Sequence, residues 1–137
     1  MQSDLESEIQ FARQHNIGDI LRRSAMRFPD KTAIICGQSE WTYKAFDTAC
    51  NQLARHLLAS GISAGDKIAV IARNSHGFAA IRFAIARIGA VLVPINFMLN
   101  PNEVRYILNS SRSKMLALGP EFIDIGLEAI SKGTDIE

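Results

Sequence analysis

The chain has 137 residues, 47% of them hydrophobic, with 15 Lys and Arg against 14 Asp and Glu. That length suits one domain on the usual scale of ~100–200 residues, and this hydrophobicity with a net charge of +1 excludes a disordered chain. The same balance lacks the basic excess of a non-specific nucleic-acid binder, and Arg82 and Arg87 interrupt the longest apolar stretch, 77–95, which argues against a transmembrane span.

Residues 1–15 read as a loose polar lead-in, with neither the basic start nor the apolar run of a secretory signal. From Ile17 the pattern is helical. Ile17, Ile20, Leu21, Ala25 and Phe28 share one face, Asn16 can cap the start, and Pro29-Asp30 stops the helix. Thr32–Cys36 and Glu40–Tyr43 predict a short N-terminal hairpin around Gly37-Gln38-Ser39. Phe46, Ala49, Cys50, Leu53, Ala54, Leu57 and Leu58 then form one apolar stripe, capped by Thr42 and ended at Gly61.

Lys67–Ala72 is a near-continuous apolar strand, as expected for one covered on both faces. The helix over 75–88 is apolar on much of its surface and is expected to be largely buried. Ala90–Ile95 is a strand whose Pro94 marks an edge or an exit. Asn100-Pro101-Asn102-Glu103 is a helix start with a capping box. Met115–Leu118 is a short strand, Gly119-Pro120 a turn, and Phe122–Ile130 a final helix. Strand and helix alternate from Lys67 onward, which predicts an α/β layered domain with a mostly parallel sheet flanked by helices.

Chemistry is sparse. Neither G-x-x-x-x-G-K-[ST] nor G-x-G-x-x-G is present, and no nucleophile elbow of the G-x-S-x-G type occurs. His15, His56 and His76 have no metal-ligand spacing with one another or with Cys36 and Cys50, so no metal site is expected. The two cysteines give no disulfide framework and read as buried free thiols of a reducing compartment, with the cytoplasm as the expected location. The sequon at Asn109 is put down to chance. The turn Arg73–Gly77 lies at the C-terminal end of a strand and the start of a helix, where ligands often sit; the plainer reading is a capped helix start. Arg82 and Arg87 either snorkel and pair with carboxylates or face a partner. Trp41 reads as the apolar anchor of the hairpin.

The ordered pattern of these pieces resembles the N-terminal part of the adenylate-forming enzymes, the family of acyl-CoA synthetases, aryl-CoA ligases and luciferases. The resemblance is carried by Trp41-Thr42-Tyr43, Asn51–Ala54, Gly61–Val70, Asn74-Ser75, Ala84–Asn96 and Leu99–Leu108, and spans roughly Ile17 to Ile130. Pro94-Ile95-Asn96 and the Asn74-Ser75 turn look most like the fatty acyl-CoA and aryl-CoA ligases. The resemblance implies that residues 16–137 are the N-terminal subdomain of such a ligase. It implies ATP, Mg and CoA for the parent enzyme, a carboxylate activated as its acyl-adenylate, and the remainder of the synthetase core as partner. The family's phosphate loop, its magnesium-linked glutamate and its mobile C-terminal domain lie after the region matched. No catalytic or cofactor-binding residue is therefore carried over, and this chain alone is expected to bind no cofactor and to be catalytically incompetent. Asn74, His76 and Phe78 are the candidate acyl-pocket residues.

The alternative is a free-standing α/β module, derived from that family, that dimerises or regulates. Two positions depart from the family's pattern. Ala45 stands where relatives often have the glutamate that closes a capping box on Thr42. Met98 stands where many CoA ligases have an arginine near the CoA phosphates, which removes the ground for a CoA contact; a methionine suits apolar packing better.

Overall fold

The computed structural model describes residues 16–134 and residue 136. The expectations for 1–15, His15 included, lie outside them. Helix α1 (Ile17–Arg27) leads into the hairpin β1 (Thr32–Cys36) and β2 (Ser39–Thr42), then α2 (Tyr43–Ala59). The parallel part follows as β3 (Lys67–Ile71), α3 (His76–Arg87), β4 (Val91–Pro94), α4 (Pro101–Ser111), β5 (Met115–Leu118), a 3-10 turn at Pro120–Phe122, and α5 (Ile123–Ile130). The sheet order is β4-β3-β5 with both pairings parallel, and the antiparallel hairpin is a separate two-stranded unit. This is the layered α/β arrangement that the alternation predicts.

Successive side chains of a strand point to opposite faces, and β3 divides two cores in this way. Ile68 and Val70 pack with Ala54 and Leu57 of α2 and with Ala84 and Ile85 of α3. Ala69 and Ile71 pack with Val104 and Leu108 of α4 and Ala129 of α5. Covered on both sides, β3 has no use for polar alternation. A third cluster of Leu21, Phe46, Cys50 and Ala80 seats α1 and the hairpin on the outside of α2 and α3.

The caps follow the local chemistry. Thr42 Oγ1 accepts from the Ala45 N–H at 3.2 Å, without the reciprocal bond a glutamate would give. The box at Asn100 is complete: its side chain accepts from the Asn102 and Glu103 N–H groups, and Glu103 accepts from the Asn100 N–H at 2.9 Å. Gly61 ends α2 at φ +85, in the left-handed region that favours glycine. Arg105 reaches from α4 to the Ala129 carbonyl at 2.8 Å and the Glu128 carbonyl at 3.4 Å, supplying cationic donors to the last turn of α5. At the opposite end of the sheet from the strand exits, Asp66 accepts from the Ser63 N–H at 2.7 Å and faces Lys114 at 3.4 Å. The Ser63 bond, helped by Lys114, holds the Asp66 carboxyl below its ordinary pKa.

Two expectations need correction. In α1 only part of the predicted face is buried: Leu21 is inside, with Gly18 beside it, but Ile17 and Ile20 are 66% and 59% exposed and Phe28 is also exposed. The reason is Gly18, where an added Cβ would meet the Cα of Arg87 at 3.0 Å. The absence of a side chain there lets α1 lie close to α3, and the larger residues beside it turn outward. Met98 does not pack; it is 80% exposed. Helix α3 is largely buried, as expected: Ala80, Ala84 and Ile85 are inside, Phe83 and Ala86 are half-buried, and its exposed residues are Gly77 and Arg82. Pro94, too, is both things expected of it, the last residue of its strand and part of an outer strand.

Arg87 ties three helices together. Its guanidinium bonds to the Asp47 carboxylate and to the Asp47 carbonyl at 3.1 Å, to Asn51 Oδ1 at 2.7 Å, and to the Gly18 carbonyl at 3.3 Å. Arg82 is exposed and lies 5.9 Å from the Phe78 ring centroid. The two arginines of this helix thus separate into a paired brace and a solvated cation.

Both cysteines are free, Cys50 fully buried and Cys36 half-buried on the hairpin. Burial pushes the Cys50 thiol up from 9.0 to about 11. The thiolate is the reactive form, so at pH 8 iodoacetamide should label Cys36 in the native protein and reach Cys50 only on unfolding, as intact mass and peptide mapping would show. The linkage has a definite sign. Above pH 9 the unfolded chain loses the Cys50 proton first, so this group's contribution to stability is intact below pH 9 and declines as pH rises toward about 11.

Candidate functional site

In a parallel sheet a crevice forms at the C-terminal ends of neighbouring strands whose chains leave to opposite faces. β3 and β5 meet that condition. β3 leads into α3 on one face of the sheet, and β5 leads into α5 on the other. Between their ends is an apolar cleft of about 240 Å³, lined by Leu53, Val70, Ala72, Phe78, Ala117 and Pro120 among others.

The lips of the cleft are set by backbone bonds. Ser75 is extended, and its Oγ accepts from the Phe78 N–H at 3.1 Å, which starts α3 and brings Phe78 to the cleft in the first turn. On the other lip the Gly119 N–H donates to the Ile71 carbonyl at 2.8 Å, so the 3-10 turn sits against the end of β3. Arg73 and Glu121 face each other between the two lips, Nε to Oε1 3.7 Å, and the Arg73 guanidinium lies 4.8 Å over the Phe97 ring, which stacks on Phe122. With Arg73 65% and Glu121 45% exposed, this pair contributes little to stability. Its effect is to leave the strand exits with little net charge.

Of the three residues that the sequence marks, the structure brings Phe78 to the cleft, together with Ser75 and Gly77. Asn74 is exposed and does not line it. His76 turns toward the hairpin, its ring edge-on to Trp41 at 5.0 Å, with its Nδ1 buried and lacking a hydrogen-bond partner. Trp41 is held between that ring and Phe46, as an anchor of the hairpin. The sequence marks Arg73 only as part of the turn 73–77, and marks neither Glu121 nor Phe97. Each lies next to a strand end, which is the available signal, but nothing in the sequence says that these ends meet.

Among the described residues no group of three or more His, Cys, Asp and Glu could hold a metal ion. The cleft walls are apolar, and the nearby Arg73 is matched by Glu121. These residues do not fit the phosphates of Mg-ATP or of CoA. What the crevice can take is a hydrocarbon or aromatic surface. A second, larger groove of about 320 Å³ runs along the half-exposed side of α3, between Ile17 and Leu92, with Arg82 at its border. No described helix is long and apolar enough to cross a membrane.

A family model described as AMP-binding enzyme matches residues 21–134. The chain belongs to the AMP-binding enzyme family. It is 38% identical over 108 residues to the 4-hydroxybutyrate–CoA ligase 2 of Metallosphaera sedula, a match that covers 79% of this chain and 20% of that one. The fold is shared with a solved fatty acyl CoA synthetase of Mycobacterium tuberculosis, with a TM-score of 0.81, 34% identity, and coverage of 88% of this chain and 24% of that one. It is shared equally with the anthranilate CoA ligase AuaEII solved with anthranoyl-AMP, with a TM-score of 0.85, 28% identity, and coverage of 90% and 24%. As a member of the AMP-binding family, the chain is an N-terminal portion of an adenylate-forming enzyme. It spans about one fifth of the length of the curated relative it matches.

Proposed function

We propose that this chain serves an ATP-dependent ligase that joins a fatty or aromatic acid to CoA, and that it acts as a scaffold for a site completed by other parts of the core. The family match over residues 21–134 carries this reading. In the proposed reaction the carboxylate attacks the α-phosphate of Mg-ATP, forming an acyl-adenylate and releasing pyrophosphate. The CoA thiolate then attacks the acyl carbon and AMP leaves. Such steps need preorganised cationic groups and metal around the phosphates, and the described residues of this chain supply neither. Residues 16–137 thus form the N-terminal subdomain, with no cofactor of their own. Phe78 lines an apolar wall, and Asn74 and His76 flank that wall through the turn that starts α3. A cytoplasmic location goes with this reading.

Two assays test it. The purified 137-residue chain should release no pyrophosphate above background from ATP with decanoate or benzoate. In the Metallosphaera ligase, replacing the matching stretch by this chain's own residues should leave 4-hydroxybutyrate–CoA formation within about tenfold of the parent, a cost near 1.4 kcal/mol in the barrier. Pyrophosphate release by the chain alone, or a folded but inactive chimera, would overturn the proposal. The exposed Ile17, Ile20 and Met26 of α1, with Phe28 at its C-cap, favour a second reading, a dimerising or regulatory module. A tight dimer by light scattering, together with an inactive chimera, would select it.

A further inference from the structure

The outer surface of α1 carries a groove of about 300 Å³. Its described lining residues all lie between Asn16 and Phe28, on this one helix and its two caps. Asp19, Ile20, Arg23, Ser24 and Arg27 recur at steps of one and three, so they form one stripe along the length of the helix. A lone helix is a convex rod, and a groove along it needs a second wall. A stripe at that spacing is what another helix packs against. The stripe is basic and partly apolar. Asp19, its one acidic residue, is taken by Arg22 at 3.1 Å. Arg23 and Arg27 supply two cations, and among the described residues Arg27 has no ion pair. Lys31 adds a third at the far end, its Nζ 5.8 Å from the Phe28 ring centroid. Ile20 and Phe28 are both more than half exposed. The occupant that fits is acidic, amphipathic and about as long as α1, whose 11 residues span roughly 16 Å.

The sequence before Asn16 meets that description. Asp4, Glu6 and Glu8 stand against the single Arg13, and Leu5, Ile9 and Ala12 recur at steps of four and three. Ser3 and Glu6 have the spacing of a capping box just ahead of this pattern. From Asp4 to Arg13 the pattern would span roughly 15 Å as a helix. Gln14 and His15 then remain before Asn16, the N-cap of α1, which is the length of connection that joins antiparallel helices.

We propose that the groove on α1 is the docking site of this chain's own residues 4–13, which fold back on α1 as an antiparallel helix and shield its stripe from a second copy. Residues equally far from the turn then face one another: Ala12 meets Ile20, Glu8 lies beside Arg23, Asp4 beside Arg27, and Leu5 covers Phe28. Joined directly to α1, the segment acts at an effective concentration on the order of millimolar, so weak contacts suffice to hold it. The proposal is independent of the ligase reading, and its test requires no activity. The 137-residue chain is studied by NMR. The amides of Glu8 to Ala12 should exchange about tenfold slower than in a free peptide of residues 1–15, and NOEs should join Ala12 to Ile20 and Leu5 to Phe28. Asp4→Lys with Glu8→Lys should bring those amides to within about twofold of the free peptide, and so should Arg23→Glu with Arg27→Glu. All four changes together should restore the slow exchange to within about threefold, because the two sets of charges act as one unit. Unchanged exchange in Ile68–Ile71 separates undocking from loss of the fold. If a variant loses that protection, the NOEs of the unaltered chain decide. Exchange of Glu8 to Ala12 at the rate of the free peptide, NOEs that join Leu5 to Ile20 instead, or a fourfold variant that fails to recover overturns the proposal. NOEs found only between differently labelled copies in a mixed sample assign the groove to a second copy and also overturn it.

Discussion

Replacing Arg87 with methionine is expected to destabilise the fold by roughly 3 kcal/mol, the lower end of the cost of breaking a buried ion pair. The lower end applies because the pair is not sealed: the Arg87 and Asp47 side chains keep 12% and 19% of their exposure. Most of the loss comes from what remains. The Asp47 carboxylate keeps its partly desolvated position without a cation, and the Gly18 and Asp47 carbonyls lose a shared donor. In urea the midpoint should fall by about 1–3 M at an unchanged slope, given slopes of ~1–3 kcal/mol/M. Adding Asp47→Asn to Arg87→Met should cost little more, since the two side chains act as one unit. A midpoint that moves by less than about 0.3 M would show that the brace is ornamental.

The second large effect is expected at Ile68. Ile68→Ala removes a side chain with 0% exposure from the middle of β3, between α2 and α3. Such truncations cost about 2–5 kcal/mol, and the upper half of that range is expected because the surrounding elements fix the cavity on every side. Ile20→Ala provides the contrast. That side chain is 59% exposed, and its loss should change stability by no more than about 0.5 kcal/mol. Equal effects at the two positions, measured by thermal and urea unfolding, would contradict the burial described for α1.

The difference between those two isoleucines also marks what the sequence makes legible. The period of 3.6 in α2 gives most of its buried face because that face is the helix's single apolar stripe: Phe46, Cys50, Ala54 and Leu57 lie inside, although Leu58, also expected there, is at the stripe's margin and exposed. In α1 the same reasoning selects residues that share a face but says nothing of which face meets a neighbour. Gly18 decides that, and a glycine carries no hydropathy signal. The capping box at Asn100 is legible because all its partners lie within three residues. The Arg87 brace is not, because Asp47 and Gly18 are far away in the chain and the alternatives for an arginine in an apolar helix differ only in three dimensions. The candidate site shows the same division. Phe78 is found from the start of a helix, whereas the opposition of Arg73 and Glu121 depends on β5 returning beside β3.

The central pairing has a consequence for the time order of folding. β3 finds β5 only after α3, β4 and α4 have been laid down between them, since Ile68 lies opposite Met115. The hairpin, by contrast, closes over a two-residue turn, with Cys36 opposite Ser39. Chains dominated by distant parallel pairings fold slowly, because the entropy of closing the intervening loop is lost before any contact rewards it. A ribosome still translating residues 95–114 therefore holds a nascent chain whose central, most buried strand has β4 on one side and nothing yet on the other. The interval before β5 emerges is the period in which this unit most needs protection from its own kind.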